Sequence, residues 1–219
     1  MIEDEGFKGR HRWSEKAFTR DRSLTFALVV VLVLRNSRKS LQNMVNEAMV
    51  WLERGTVTAS AYWQARYKLK YTGFIQLNRK AVVETLYGDG EYRRFRGFRV
   101  LAIDGSKIVL PDTEDVRKAF GTIAWTGGED AQLSGERPYA VASVLYEVLN
   151  RVALDAVLGR ATAYEGQIGL STAPVLHECR GPVGAMDRNY PSYRMLAELN
   201  RSGREFVIRF GFIVRQGWR

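Results

Sequence analysis

The chain has 219 residues, is 46% hydrophobic and 26% charged, and carries a formal net charge of +9. This composition is typical of a globular protein with enough chain for one large domain or two small ones. The basic surplus favours a polyanionic partner, most often nucleic acid or else an anionic membrane. The single cysteine, Cys179, excludes an internal disulfide and fits a reducing cytoplasm.

The longest apolar run, LTFALVVVLVL at residues 24–34, is too short to cross a membrane. It has eleven residues, whereas a membrane-spanning helix needs about 20. The long segment before it carries both signs of charge, unlike a signal peptide. We therefore expect no membrane partner. The run predicts a buried helix, with a strand as the alternative because its valines are β-branched.

Residues 1–96 have the pattern of a small helical domain. Ser40 precedes a stretch whose apolar residues recur on one face of a 3.6-residue helix, and Gly55 follows it. Thr58 begins the next helical stretch, and a third ends at Gly88. These short helices with short turns indicate a helical bundle.

Basic and aromatic residues alternate within this domain. The aromatic residues are Tyr62, Trp63, Tyr67 and Tyr71. Five basic residues among or just after them are candidate DNA-binding residues: Arg66, Lys68, Lys70, Arg79 and Lys80. Such a mixture suits contact with the DNA backbone. The alternative is a solvated helix face whose aromatic residues belong to the core.

Residues 97–219 have a strand-rich pattern. RVLAID predicts a short buried strand, KIVLPD a strand that returns beside it, and residues 121–137 a mobile loop. Two further strands meet in a hairpin at Asn150 and Arg151. A helical stretch at 165–179, a strand at PVGAM, a helix from Pro191 to Leu199 and a strand at EFVIRF follow. This order predicts an α/β fold with a mixed sheet.

Two aspartates follow short apolar runs. Asp104 and Asp187 are each predicted to end a buried strand, so neighbouring strand ends would bring the carboxylates together. Adjacent carboxylates repel each other and need a cation or a shared proton. Oxygen ligands suit Mg²⁺ or Mn²⁺, and two such ions can promote attack on a phosphodiester. The alternative is that both aspartates are ordinary turn residues.

Two segments, AIDGSKIVLPDT and DRNYPSYRMLAELNRSGREFVIR, resemble the first and second catalytic motifs of DDE transposases of bacterial insertion sequences. The likeness is to the insertion-sequence-four type, and it extends from about residue 18 to the end. The resemblance implies that residues 1–96 form a helical DNA-binding leader. It also implies that residues 97–219 form an incomplete RNase H-like mixed sheet. It also implies a cytoplasmic, nucleoid-associated protein.

The resemblance implies a mechanism. Such transposases bind double-stranded DNA at the inverted repeats of their element, cut there, and join the freed 3′ hydroxyl to target DNA by in-line attack. Asp104 and Asp187 match the first two metal-binding catalytic carboxylates, and the metal is Mg²⁺ or Mn²⁺. Ser106 and Tyr190 match motif neighbours with supporting roles. Arg188 is expected to meet a DNA phosphate, with an exposed turn arginine as the alternative.

The chain departs from the family at the third carboxylate. The family's glutamate stands in a Tyr, Arg, Glu, Lys motif well downstream, and Glu198 comes too early to match it. We therefore expect a transposase fragment that lacks the β-rich insert and the final helix and is inactive alone. Its missing portion, or a second copy of the chain, is a possible partner. The alternatives are a DNA-binding module that holds element ends without cutting, and a general metal-dependent nuclease.

Overall fold

The structure is a computed structural model with two units. It describes residues 1–20, 22–35, 38–125, 135–163, 182–186, 196–197, 200–201 and 205–208, with 182–186 and 205–208 described by backbone alone. The chain divides into two compact units, Met1–Lys80 and Ala81–Arg219, which we call the helical unit and the sheet unit. The functional assignment of residues 1–96 and 97–219 to a DNA-binding leader and a partial catalytic domain stays a prediction.

Short helices make up the helical unit. They are α1 (Glu5–His11), α2 (Phe26–Leu34), α3 (Leu41–Trp51), α4 (Ala59–Arg66) and α5 (Thr72–Leu77), followed by a π-helical segment, Asn78–Val83. The side chains of Ser40 and Thr58 accept the backbone N–H groups of Asn43 and Ala61, which satisfies donors that a helix start leaves free. Both predicted helix starts are confirmed, whereas α3 ends at Trp51 rather than at Gly55.

The core of the helical unit forms around α2, α3 and α4. Val29, Val45 and Tyr62 are almost completely buried in one apolar cluster. The apolar run at 24–34 is therefore a buried helix, and the strand alternative is wrong. Thr25 caps this helix, and packing against α4 outweighs the small helix-propensity cost of its valines. Among the described residues, no helix is long and apolar enough to cross a membrane.

A buried histidine joins α1 to α5. His11 Nδ1 lies 3.0 Å from Thr72 Oγ1, and His11 Nε2 lies 2.5 Å from Gln76 Oε1. Gly73 permits this close packing, because a Cβ atom there would lie 3.2 Å from the Cβ of His11. His11 is thus a hydrogen-bonded core residue.

A mixed sheet dominates the sheet unit. The elements of this unit are α6 (Glu84–Gly88), β1 (Arg99–Val109), α7 (Glu114–Phe120), β2 (Thr122–Trp125), β3 (Gly135–Glu147), β4 (Val152–Arg160), β5 (Pro182–Met186) and β6 (Glu205–Ile208). The sheet order is β2-β3-β1-β5-β6, and β4 also pairs with β3. β1, β3 and β4 are antiparallel, whereas β5 lies parallel to β1 and β6 parallel to β5. The predicted α/β fold with a mixed sheet preceded by helices is confirmed, and its RNase H-like relationship stays a prediction.

The predicted break at Asp104 is wrong. β1 continues through Asp104 to Val109, so KIVLPD extends the strand and does not return beside RVLAID. The strand continues because Gly105 and Ser106 pair with Ser143 and Ala142 of β3. Pairing along β3 therefore outweighs the turn tendency of an Asp-Gly-Ser sequence.

The other sequence predictions divide into three groups. The hairpin is confirmed, since β3 and β4 are antiparallel and Arg151 has a left-handed backbone with a φ of 57°. The prediction of a mobile loop at 121–137 is wrong for its first and last residues, because Thr122–Trp125 forms a strand that pairs with Gly135–Pro138. Residues 126–134 of the predicted loop lie outside the described residues. The strands at PVGAM and EFVI are confirmed. The helix at 165–179 lies outside the described residues, and the helix predicted to end at Leu199 is described only at 196–197, which are helical.

We expect Leu145→Ala to lower the free energy of unfolding of the sheet unit by about 2–5 kcal/mol, because Leu145 is completely buried in β3. Leu158→Ala is the matched control, since Leu158 is 57% exposed on the neighbouring strand β4, and its effect should stay within about 0.5 kcal/mol. Urea unfolding monitored by amide hydrogen exchange measures both. Equal losses for the two variants would contradict the described register.

Candidate functional site

Asp104 lies at the point where β1 passes from the core to the surface. The residues before it alternate between buried and half-buried positions, with Leu101 and Ile103 buried. From Asp104 to Val109, all residues except the half-buried Gly105 are exposed. The Asp104 carboxylate accepts the backbone N–H of Gly105 at 2.9 Å, and it takes part in no ion pair among the described residues. Its oxygens therefore remain accessible to a cation from solvent.

The strand register shows what surrounds this carboxylate on its face of the sheet. Asp104 pairs with Val144 of β3, which pairs in turn with Ala156 of β4. Directly paired residues share a face, and consecutive residues alternate between faces. Asp155 pairs with Leu145, so it belongs to the opposite face of the sheet. β3 and β4 thus place only small apolar residues across from Asp104.

The other side of β1 is bordered by β5. The parallel register runs from Arg99 opposite Pro182 to Ile103 opposite Met186, where described β5 ends. Asp104 comes directly after Ile103, the last residue of β1 that pairs with β5. In the sequence, Asp187 comes directly after Met186, the last residue of β5. Asp187, Arg188 and Tyr190 themselves lie outside the described residues. Ser106, two residues after Asp104, is exposed and lies on the same face of β1.

The donor groups at this position are consistent with a hard divalent cation. An exposed carboxylate with free acceptor capacity is the type of ligand that Mg²⁺ and Mn²⁺ take. Within the part of the chain that the structure describes, no three His, Cys, Asp or Glu side chains form a group able to hold a metal ion. A metal ion at Asp104 would therefore need further ligands from elsewhere.

The predicted basic and aromatic surface lies on and after α4. Tyr67 and Tyr71 are 73% and 75% exposed, and Trp63 is 43% exposed. The rings of Trp63 and Tyr67 lie 5.9 Å apart, and the Arg66 guanidinium lies 5.0 Å from the centre of the Trp63 ring. These residues form an exposed surface that joins aromatic rings to positive charge, a combination that suits nucleic acid.

The aromatic residues of this stretch do not all share one role. Tyr62 is 2% exposed and belongs to the core, so the core alternative holds for this one residue. Burial raises the pKa of the Tyr62 phenol above its ordinary value, and the nearby Arg66 opposes this shift. Tyr62 therefore belongs to the core-facing side of α4, and only the outward-facing rings are available to a ligand.

The five predicted DNA-binding residues of the helical unit differ in exposure. Arg66, Lys68, Arg79 and Lys80 are exposed. Lys70 is half-buried, and its ammonium group donates to the backbone carbonyl of Arg10 at 3.4 Å. Arg79 and Lys80 stand next to each other in the π-helical segment. Lys70 is thus the least available of the five for contact with a ligand.

Sequence reasoning missed a buried polar cluster in the sheet unit. Glu147 is completely buried, and its Oε2 atom accepts from Arg99 Nε at 3.3 Å and from the Tyr87 hydroxyl at 2.7 Å. The Arg99 guanidinium lies 3.9 Å from the centre of the Tyr87 ring. The available signal was a charged residue at each end of otherwise apolar strand runs. Because these groups neutralise one another inside the fold, we interpret the cluster as structural.

The comparisons with known proteins give little further information. No protein-family model matches the chain, and no curated protein matches its sequence. One solved structure that resembles it is the cryo-EM structure of the piggyBac transposase synaptic complex with hairpin DNA, with a TM-score of 0.40 and 11% sequence identity. The match covers 91% of this chain and 46% of that one, so the chain spans less than half of that transposase. A similarity this low decides nothing about activity.

We expect Asp104→Ala to leave the free energy of unfolding within about 0.5 kcal/mol of the parent, because the side chain is exposed. Glu147→Ala should lower it by about 3–5 kcal/mol, because Arg99 is left buried without its carboxylate. Urea unfolding followed by circular dichroism compares the two. If Asp104→Ala were as destabilising as Glu147→Ala, Asp104 would be structural and not part of a site.

Proposed function

We propose that this chain is a DNA-processing protein of the DDE transposase type. In this proposal the helical unit binds DNA, and the sheet unit holds a divalent metal ion through Asp104 and Asp187. The observation that carries the proposal is the parallel register of β1 and β5, which pairs Ile103 with Met186. These are the residues that directly precede the two aspartates in the sequence.

Electrostatic repulsion between the two carboxylates would create the need for a metal ion. Neighbouring parallel strands lie about 4.8 Å apart, so extending the register by one residue would give two adjacent carboxylates. The residues directly across from Asp104 in β3 and β4 are the apolar Val144 and Ala156, so neither would offset the repulsion. A bound Mg²⁺ or Mn²⁺ would neutralise the pair, and it would supply activation of an attacking oxygen and stabilisation of a leaving oxygen on phosphorus.

The remaining site residues have auxiliary roles in this proposal. Ser106 lies on the Asp104 face and can donate a hydrogen bond to a substrate oxygen at the edge of the site. Arg188 and Tyr190 follow Asp187 in the sequence. A guanidinium is suited to bidentate contact with a phosphate, and a phenol can donate one hydrogen bond to it.

The number of carboxylates limits what the polypeptide does by itself. The resemblance implies three carboxylates, and two of them have counterparts in the 219 residues. Glu198 lies outside the described residues, and Asp155 belongs to the opposite face from Asp104. With two ligands the polypeptide is expected to bind metal weakly and to leave DNA uncut unless another segment or chain supplies the third.

DNA binding is proposed for the exposed surface around α4. Arg66 lies against the Trp63 ring, and Lys68 and Arg79 are exposed cations of the same unit. Cations that replace the counterions of duplex DNA bind it with strong salt dependence. The exposed rings of Tyr67 and Tyr71 would add contacts with sugar or base edges. The proposed partner is double-stranded DNA at inverted repeats and target sites.

A second candidate function is a DNA-binding module that does not cut. It is favoured by the helical unit, which has its own buried core and capped helices. Such a module would hold element ends and would inhibit an intact transposase by competition. Duplex binding that needs no metal, together with no metal binding at Asp104, would select this function over the first. Sequence-specific binding to inverted repeats would separate both from a general nuclease.

The metal site is tested by Mn²⁺ binding to the purified 219-residue polypeptide, measured from the electron paramagnetic resonance signal of free Mn²⁺. Asp104→Asn and Asp187→Asn should each weaken binding at least tenfold, about the loss expected from damaging a metal site. Asp155→Asn is the matched control and should leave binding unchanged, because Asp155 pairs on the opposite face of the sheet.

Two outcomes would contradict this part of the proposal. Equal losses for Asp155→Asn and Asp104→Asn would show nonspecific binding to surface carboxylates. Cleavage of duplex DNA by the unmodified polypeptide with Mg²⁺, abolished by Asp104→Asn, would show that the two carboxylates suffice.

The DNA surface is tested with fluorescently labelled duplex DNA at several KCl concentrations in the presence of EDTA. Each of three variants, Arg66→Gln, Lys68→Gln and Arg79→Gln, should weaken binding. Each should also reduce the slope of the logarithm of the binding constant against the logarithm of the salt concentration by about 0.9 for each phosphate that it no longer neutralises. Lys8→Gln is the control in the same unit, since Lys8 already pairs with Glu5 at 2.7 Å. Slopes unchanged in all three variants would place the DNA elsewhere.

A further inference from the structure

The helical unit contains a cavity that is separate from the proposed metal site and shares only Lys68 with the proposed DNA surface. Its volume is about 640 Å³, and it lies between the loop before α2 and one side of α4. Cavities of about 300–1,000 Å³ are the usual size for small-molecule sites. The α4 side of the cavity consists of Ala61, Gln64, Ala65 and the following Lys68, which recur at helical spacing and therefore share one face.

Four cations line this cavity: Lys16, Arg20, Arg22 and Lys68. All four are exposed, and none forms an ion pair with another described residue. No acidic residue is present among the described lining residues, and Asp21 lies outside the described part of the chain. Like charges gathered around a concave surface focus a positive field inside it, which attracts an anion. Arginine in particular suits phosphate, which it contacts through two hydrogen bonds.

The wall behind the cations is apolar. Leu24, Val57 and Ala65 are half-buried or buried residues that face the cavity. An inorganic anion would leave this apolar surface in contact with water. A ligand that joins a phosphate to a flat, weakly polar ring would cover the wall and meet the cations at the same time. Gln64 adds an amide able to donate to or accept from ring atoms.

The loop that borders the cavity is held in a strained conformation. Phe18, one of the lining residues, has a φ of 57°, which a bulky side chain rarely adopts. Its ring packs edge-on against Phe26 at 5.4 Å, and the Thr19 hydroxyl donates to the carbonyl of Lys16 at 3.0 Å. Arg12 Nη1 donates to the carbonyl of Ala17 at 3.1 Å. These contacts hold Lys16 and Thr19 at the cavity, and backbone strain of this kind is concentrated at ligand sites.

We propose that this cavity binds a phosphorylated nucleoside, with the phosphates on the cations and the base against the apolar wall. The ligand could be a free nucleotide or the terminal nucleotide of a DNA strand, because both present the same chemistry. The proposal goes beyond the proposed function and does not involve Asp104 or Asp187. Lys68 belongs to both the cavity and the proposed DNA surface, so it is left unchanged in the test.

The test measures ATP, adenosine and inorganic tripolyphosphate binding by isothermal titration calorimetry on the full chain, in EDTA to exclude metal bridging. ATP should bind at least tenfold more tightly than either adenosine or tripolyphosphate, because only ATP uses both the cations and the wall. The double variant Arg20→Gln, Arg22→Gln should weaken ATP binding at least tenfold. Arg38→Gln, an exposed arginine that does not line the cavity, should leave it unchanged.

A second variant separates the wall from the charges. Ala61→Trp places a large side chain at an exposed α4 position that lines the cavity, and it leaves the charge unchanged. It should abolish the advantage of ATP over tripolyphosphate. Thermal unfolding of each variant checks that the helical unit still folds, and Ala61→Ser serves as the small-residue control at the same position.

Three results would overturn the proposal: no saturable ATP binding at millimolar concentration, equal affinity for ATP and tripolyphosphate, or ATP binding unaffected by Ala61→Trp. Competition by a 5′-phosphorylated single-stranded oligonucleotide would identify the ligand as a DNA end, and its failure to compete would identify a free nucleotide. Duplex binding in EDTA is measured in parallel, so that loss of the nucleotide site is distinguished from loss of the proposed DNA surface.

Discussion

The two-sided pairing of β1 is the constraint on which the sheet unit depends. Along one side β1 pairs antiparallel with β3 as far as Val109, and along the other it pairs parallel with β5 as far as Ile103. These registers determine the face on which each residue lies. A shift of one residue would move Asp104 to the buried face and Ile103 to the exposed one. This shift is unfavourable because burying an unpaired carboxylate costs free energy.

This constraint separates two kinds of charged residue in the sheet unit. Arg99 and Glu147 are buried near one end of the β1–β3 pair, where the Tyr87 hydroxyl also donates to Glu147 Oε2. Asp104 lies further along the same strand, exposed and outside any described ion pair. The buried charges pair with each other inside the fold, where a ligand from solvent does not reach them. The exposed carboxylate keeps the capacity to bind a ligand, which is what a metal site requires.

The helical unit distributes its side chains by a similar rule. The buried Tyr62 anchors α4 to the core, while Trp63 and Tyr67 remain exposed. The same helix therefore presents an aromatic and cationic surface on one side and a wall of the cationic cavity on another. A helix can serve both because residues three or four positions apart share a face and adjacent residues do not.

The sequence by itself determined the fold class, the helix starts at Ser40 and Thr58, the buried α2 helix and the hairpin at Asn150, because these depend on local patterns of capping, periodicity and turn residues. It also indicated Asp104 as a candidate metal-binding residue, although it predicted that the strand ends there. Only the tertiary structure decided that β1 continues past Asp104, since its hydrogen bonds come from β3, distant in the sequence. Sequence reasoning also did not assemble the Glu147 cluster or the cationic cavity, because each joins residues that only folding brings together.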